Sequence, residues 1–462
     1  MFNNHNESLR IEYLAKRYNE VNIPLYLSYP TSNWWDNPID DNSFIKRHRD
    51  YSPTFLYFHF PYCEKACYYC MCYKHVAPDS TYNDVYIKYL EKEFLNRLDL
   101  LERAYLDRVR HIHWGGGTPS YLTCRQIEKI HRSIFDKVKI VDMENASISI
   151  EAYPDERILT DEKLILLRNL GFNEISFGIQ DFDSRIQKII NRNCTYQSVS
   201  NLIRKSKELG LRVHIDLCYG LPFQGLNELE KTIDAVIRMS PHRVALFTYA
   251  HYPAIFPLQR KIPSSSIPNS FLRVMLAMHA EELLKSHGYH KVGYDHFVKE
   301  DDPLFKACCN RQIQRDLMGY SVNQKREFMG FGCSAISYMK HGFYQNIHSL
   351  KKYYRTIDED KIPLERNISH LLSEEDRLRN KIIQKNILGD FWVSKNEIDC
   401  EFGISFEDHF NYELDALARF EKDGLVDLSD SDAIQVTRKG EYFVRHIAHV
   451  FDSYYNRREA LN

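Results

Sequence analysis

The sequence predicts an α/β fold: a partial (β/α)6 barrel of TIM-like type, followed by a mainly α-helical C-terminal domain. Three observations carry this reading. Short apolar runs alternate with longer amphipathic stretches between residues 51 and 250, the pattern of repeated βα units. The residues best suited to chemistry close or follow those runs, as they do where ligands gather at the C-terminal ends of barrel strands. Beyond about residue 365, helical periodicity takes over.

In chain order, residues 1–50 read as an N-terminal arm. The barrel is placed at 51–265, with strands at TFLYFHF, RHIHW, ASISIEA, EISFGI, RVHIDLCYG and RVALFTYA, of usual strand length. Helices are expected over Asp84–Leu101, Arg125–Lys137, Asp161–Leu170, Ser198–Leu209 and Leu229–Met239, several of them ending near glycine. PSSSIP (263–268) reads as a connector, and 266–364 as a segment that covers the substrate, holding the helix FLRVMLAMHAEELLKSHG and ending near GFGCSAISYM. Residues 365–462 form the helical domain, with one hairpin from GLVDLSD and AIQVT in an arrangement like a winged helix. It carries no concentrated basic stripe, so it reads as a scaffold over a pocket rather than a DNA reader.

A chain of 462 residues with 44% hydrophobic composition can bury one large core and a smaller satellite. Lys plus Arg number 61 against 63 Asp plus Glu, which leaves no basic field for nucleic acid. The N-terminus has no apolar signal core and no run of eighteen apolar residues occurs, so a cytoplasmic location without a membrane partner is expected.

Four of the eleven cysteines, Cys63, Cys67, Cys70 and Cys72, crowd into ten residues, while seven scatter and read as structural. Three thiolates spaced Cx3Cx2C on one loop can hold three irons of a four-iron cluster and leave the fourth open to a chelating ligand. Zinc is the alternative, with Cys72 completing a closed four-ligand set, but the spacing favours iron–sulfur. Gly115, Gly116 and Gly117 follow RHIHW. Lacking Cβ, they either let the backbone approach a ligand closely or simply make a tight turn.

The stretch YFHFPYCEKACYYCMC (57–72), with Tyr69 just before the third cysteine, resembles the radical S-adenosylmethionine (SAM) superfamily. The additional Cys72, together with HWGGGTPSYL, ISIEAYP, FGIQDFD, INR, HIDLCYGLP, FTYAHYPAIF, YDHF, GCSAIS, DGLVDLSDSDAIQVTRKG and FDSYY, is similar to the oxygen-independent coproporphyrinogen III oxidases of the HemN type along almost the whole chain. The resemblance implies a 4Fe-4S cluster on Cys63, Cys67 and Cys70 whose open iron chelates the methionine moiety of SAM. The 5'-deoxyadenosyl radical then takes a hydrogen from a propionate side chain, which loses carbon dioxide and an electron to become vinyl. Two such events give protoporphyrinogen IX in heme biosynthesis.

By the same resemblance, Gly116, Gly117, Thr118, Glu151, Gln180, Arg192 and Asp216 contact SAM, of which two molecules are implied. Glu151 would accept hydrogen bonds through its carboxylate, and Arg192 would pair a carboxylate with its rigid fork. Tyr57, Tyr69, Ala250 and Ile336 are carried over as weaker contacts. Cys72 is implied to be not a ligand but a thiol beside the cluster that donates hydrogen or positions SAM. A tetrapyrrole substrate, an electron donor and acceptor of unnamed identity, and a monomeric state follow in the same way.

Three segments depart from the family's reading. The family usually has Glu-x-Asp-Pro or Glu-x-Asn-Pro where this chain has EAYP, RYTSYPT where it has LYLSYPT with Leu25 in place of arginine, and QGYTT near MGYSVN (318–323). The last two bear on the tetrapyrrole's acidic side chains rather than on SAM. The alternatives are a heme-trafficking protein of HemW type, against which Cys72 and the C-terminal domain argue, and a radical SAM enzyme acting on another tetrapyrrole.

Overall fold

The apolar runs of the first half become the parallel centre of a twelve-stranded sheet. The computed structural model describes residues 5–19, 23–103, 106–142, 146–322 and 327–455. In chain order the strands are β1 Phe55–Phe60, β2 His111–Gly116, β3 Ser147–Ala152, β4 Glu174–Gln180, β5 Arg212–Tyr219, β6 Arg243–Thr248, β7 His290–Val292, β8 His296–Val298, β9 Phe328–Phe331, β10 Ile336–Met339, β11 Gly342–Asn346 and β12 Leu364–Leu371. Their order across the sheet is β7-β8-β6-β5-β4-β3-β2-β1-β9-β10-β11-β12. The run from β6 through β1 to β9 is parallel, and antiparallel strands extend it at both ends.

The six predicted barrel strands are all present, and a seventh parallel strand, β9, joins β1 from the far side. What fixes it is a buried polar network on the helix Tyr82–Leu100. Glu93 accepts from Gly332 N–H at 2.7 Å, Asn346 Nδ2 at 2.8 Å and Tyr353 OH at 2.6 Å, and Arg97 donates to Gly330 O at 2.8 Å. Arg97 Nη2 also donates to Glu93 Oε1 at 2.6 Å, so all four lone-pair sites of the carboxylate are used and neither buried charge is left without its counter-charge.

Helices follow the strands where expected, and their caps set their bounds. Thr123, Thr160 and Thr195 each accept a backbone N–H from the first turn, and for that reason the third of these helices starts at Tyr196 rather than Ser198. Along β3 and β5 the side chains alternate as the pleat requires. Ile148, Ile150, Val213, Ile215 and Leu217 are buried in the large core, whereas Ser147, Ser149, Glu151, Arg212, His214 and Asp216 face an interior cavity. The sheet therefore turns its polar face inward.

A second apolar core gathers the C-terminal helices, Val274 and, from the arm, Ile11, Leu14, Ala15, Tyr18, Tyr26 and Tyr29. Farther along the arm, Ile39 and Phe44 belong to the barrel core. The hairpin expected near the C-terminus is Val426–Asp427 paired with Ala433–Val436, and Trp392–Ser394 adds a third strand. β12 hydrogen-bonds to β11, so the large sheet continues past residue 365, where the sequence placed its boundary. No helix among the described residues is long and apolar enough to cross a membrane.

Candidate functional site

The cysteine loop leaves β1 and is clasped from three sides. Gly117 N–H donates to Phe60 O at 2.7 Å and Thr118 N–H to Tyr62 O at 3.0 Å, tying the GGGT segment to the start of the loop. Tyr68 N–H donates to Ile190 O at 2.9 Å and Asn191 Nδ2 to Ala66 O at 2.8 Å, so the INR segment holds its middle. Gln259 Nε2 bridges the carbonyls of Tyr69 and Ala250, each at 3.1 Å.

Within that clasp Cys63 and Cys67 are buried and Cys70 is half-buried. Thr118 Oγ1 donates to Cys63 Sγ at 3.3 Å, and burial pushes the Cys63 thiol up to about 12. Arg192 Nη1 reaches both Cys67 Sγ and Tyr69 OH at 3.3 Å, and its Nη2 donates to Gly178 O. Cys72 hydrogen-bonds Cys70, which lowers the Cys70 thiol and raises that of Cys72. Cys72 itself opens on the cavity.

The cavity, about 1480 Å³, runs along the polar face of the sheet and is closed at one side by Arg445 and His446 from the C-terminal unit. It exceeds the roughly 300–1,000 Å³ of ordinary small-molecule pockets. Cys72, Glu151, Asp216 and Ala250 line it, as do Leu25 and Met318–Ser321 from the two divergent segments; Asn323 lies outside the described residues. Glu151 Oε2 accepts from Gly116 N–H at 3.1 Å, and its Oε1 lies 3.2 Å from His113 Nε2. His113 is itself held by Ser149 at 2.7 Å and stacks on Tyr57, whose hydroxyl lies 2.9 Å from His59 Nδ1.

Gln180 takes φ +72° at a bulge in β4, and its amide folds beside Arg192: a Cβ on Gly178 would meet both groups at 3.0 Å. Ile336 opens β10, at the sheet edge where the parallel strands end but outside the cavity lining. The structure thus joins the cysteine loop to Thr118, Arg192 and Tyr69, and Glu151 to Gly116. Ile336 is left apart from these contacts.

The glycines differ from expectation. A Cβ on Gly116 (φ +111°) would strike His59 at 2.5 Å, and one on Gly117 would strike the Pro61 backbone at 2.7 Å. The missing side chains make room for the neighbouring strand and its loop rather than for open space. The tyrosine of EAYP also has a place, since Arg192 lies 4.7 Å over the Tyr153 ring. His59, His113 and Gln259, which position these groups, carry no sequence signal beyond being polar residues next to strands or turns.

Asp216 accepts from Ser176 Oγ at 3.1 Å and is raised to about 6, first by burial and then by the Glu151 charge. Its ordinary value is 3.8, so between these limits the folded chain holds a proton that the unfolded chain has lost, and stability falls as pH rises through about 6. Asp216→Asn is therefore expected to be more stable than wild type by up to about 3 kcal/mol above that range, with the gain vanishing below about pH 4. Denaturant titrations at pH 4, 5 and 7.5 measure it, and an equal gain at all three would exclude ionisation of Asp216 as the cause.

These residues fit a 4Fe-4S cluster and SAM. Three thiols leave one clasped loop, and a buried guanidinium stands beside one of them with its Nε unpartnered, ready for an anionic group. Among the described residues no three His, Cys, Asp or Glu side chains are grouped tightly enough to share a single metal ion, as the zinc alternative would require.

Residues 57–236 match the model of the Radical SAM superfamily. The oxygen-independent coproporphyrinogen III oxidase of Synechocystis sp. is 34% identical to this chain over 460 residues, covering 96% of each. That of Escherichia coli is 35% identical over 96% of this chain and 94% of its own. The solved structure of the E. coli coproporphyrinogen III oxidase, described as a radical SAM enzyme, superposes with a TM-score of 0.85 over 93% of this chain and 97% of that one. At this identity over nearly the full length of each chain, and with the same overall fold, this chain belongs to the oxygen-independent coproporphyrinogen III oxidase family of radical SAM enzymes.

Proposed function

We infer that this chain carries out the oxygen-independent oxidative decarboxylation of coproporphyrinogen III to protoporphyrinogen IX, converting two propionate side chains to vinyl groups. The observation that carries the reading is the placement of the clasped cysteine loop on the rim of a cavity of about 1480 Å³, roomy enough for a tetrapyrrole beside a cofactor. When bound, the cluster and SAM supply the one-electron chemistry that removes a hydrogen atom from the propionate.

The chain's own part is to bind, orient and enclose. Cys63, Cys67 and Cys70 hold three irons, with Thr118 and Arg192 donating to the sulfurs of the first two. Glu151 on β3 and Asp216 on β5, the strands either side of β4, offer carboxylates from the polar face, and Gln180 and Arg192 lie beside one another for the polar end of SAM. Gly116, Gly117, Ala250, Tyr57 and Tyr69 complete the SAM surface in this assignment, with Ile336, apart from the other contacts, at its margin. Two SAM molecules are part of this assignment, as is Cys72 next to the cluster on the cavity side. The C-terminal unit closes the cavity against water. Each decarboxylation also releases one electron, so an external acceptor is needed as well as a donor. The reading places the enzyme in the cytoplasm as a monomer.

The test is anaerobic. After cluster reconstitution, the protein is given reductant, SAM and coproporphyrinogen III, and deoxyadenosine, methionine and porphyrins are followed by chromatography with mass detection. Two deoxyadenosines per protoporphyrinogen are expected. Deoxyadenosine without vinyl product would assign a different substrate.

A further inference from the structure

Two arginines enter the cavity from outside the barrel strands: Arg273 on the helix Ser270–Ser286, and Arg445 on the helix Val444–His449. Neither has a carboxylate partner among the described residues. Arg273 Nη2 donates to Thr248 Oγ1 at 2.8 Å and Tyr249 O at 2.6 Å, which anchors it beside the end of β6 just before Ala250. The Arg445 side chain, half-exposed, makes no hydrogen bond, ion pair or ring contact among the described residues.

Their helices pack together: Val274, next to Arg273, and Val444, next to Arg445, belong to one apolar core, and all four residues line the cavity; the Arg445 charge is felt at Arg273, at Tyr26, the residue after Leu25, and at Tyr294. Four other arginines of the cavity are committed or remote. Arg315 is locked on both oxygens of Asp295 at 2.9 Å, and Arg243 lies 2.6 Å from Asp302. Arg110 and Arg212 line the opposite end, where β2 and β5 begin.

Two guanidinium groups on one cavity wall, partly desolvated and without a counter-charge, repel one another and are favoured once an anion sits between them. A carboxylate suits them because each fork can supply parallel N–H donors to it. Leu25, Val274, Tyr219, Tyr252 and Tyr294 border the same stretch of wall with apolar and aromatic surface, fit for a pyrrole ring carrying that carboxylate. We propose that Arg273 and Arg445 form a carboxylate-binding pair that receives a propionate group of the tetrapyrrole. The assignment rests on the substrate reading above. It supplies, from two helices, the cationic contact that Leu25 does not offer.

The test uses the cluster-loaded protein under anaerobic conditions with two probes, coproporphyrin III and its tetramethyl ester, and reads binding by fluorescence. Wild type is expected to prefer the free acid. Arg445→Gln should weaken acid binding by about tenfold or more while leaving the ester unchanged, since a charge-assisted pair is lost. Arg445→Lys should recover part of the loss, and Arg273→Lys, which keeps the charge and a donor for Tyr249 O, should weaken the acid less than Arg445→Gln. Iron content and melting temperature equal to wild type check that each variant is folded. Arg445→Gln binding the acid as tightly as wild type, or losing acid and ester alike, overturns the pair. Wild type that binds neither probe overturns the substrate reading, and the pair with it.

Discussion

Replacing Cys67 by alanine is expected to leave a folded protein with no cluster iron, no iron–sulfur absorbance and no SAM cleavage. In this assignment the loop offers one thiolate to each of three irons, and without Cys67 the cluster is held at only two corners. Cys67 is the most informative of the three because its sulfur faces Arg192 Nη1 at 3.3 Å. Its loss removes the ligand and the sulfur partner of a buried charge together, though Arg192 keeps Tyr69 OH and Gly178 O. Cys194 provides the control. It is buried nearby but is held by its backbone, donating from N–H to Gln187 Oε1 at 2.7 Å and accepting at its carbonyl from Gln187 Nε2 at 2.7 Å. Cys194→Ala should keep full iron. Iron analysis and absorbance after reconstitution decide the matter: Cys67→Ala with wild-type iron would remove Cys67 from the ligand set.

The expected difference between Cys67 and Cys194 is written in the sequence because chelation by one loop is a local property, carried by the spacing Cx3Cx2C. The parallel strands were visible for a similar reason. Apolar runs bounded by turns carry their own signature, and the alternation of Ile148 and Ile150 with Ser149 and Glu151 even tells which side faces the cavity. β9 was not visible. FMGF is too short and too glycine-bounded to stand out, and what makes it a strand is the Glu93–Arg97 network more than 230 residues away, which no local pattern encodes.

The site divides along the same line. Arg192 and Gln180 could be singled out only through the family's motifs, because each is an ordinary polar residue until folding sets the INR segment against residues 66–69. The triple glycine was legible as a feature, yet its cause was not: only the structure places His59 and Pro61 where the side chains would have been. Tyr153, a departure from the family's residue, has its explanation in the Arg192 guanidinium stacked over it. Arg273 and Arg445 lie on helices whose amphipathic patterns say nothing about which charged residue meets a cavity wall, and their place on one wall depends on packing Val444–His449 against Ser270–Ser286 through Val444 and Val274.

Cys72→Ala should separate holding the cluster from using it: iron equal to wild type, with vinyl product lowered by about two orders of magnitude, the usual cost of losing a positioning contact next to reacting groups. Cys72 lines the cavity two residues past Cys70, to which its thiol hydrogen-bonds, so it stands between the cysteine loop and the cavity. Two causes of the loss can be told apart with Cys72→Ser. A hydroxyl keeps the size and a hydrogen bond to the Cys70 sulfur but lacks the sulfur of the thiol. If the thiol only positions SAM, the serine variant regains most of the activity that alanine loses. If the sulfur itself is required, as in passing on the electron that each decarboxylation releases, serine is as inactive as alanine while deoxyadenosine still forms, and product analysis then shows deoxyadenosine in excess over vinyl groups. Iron lost from Cys72→Ala would make Cys72 a ligand and would return the loop to a four-thiolate arrangement.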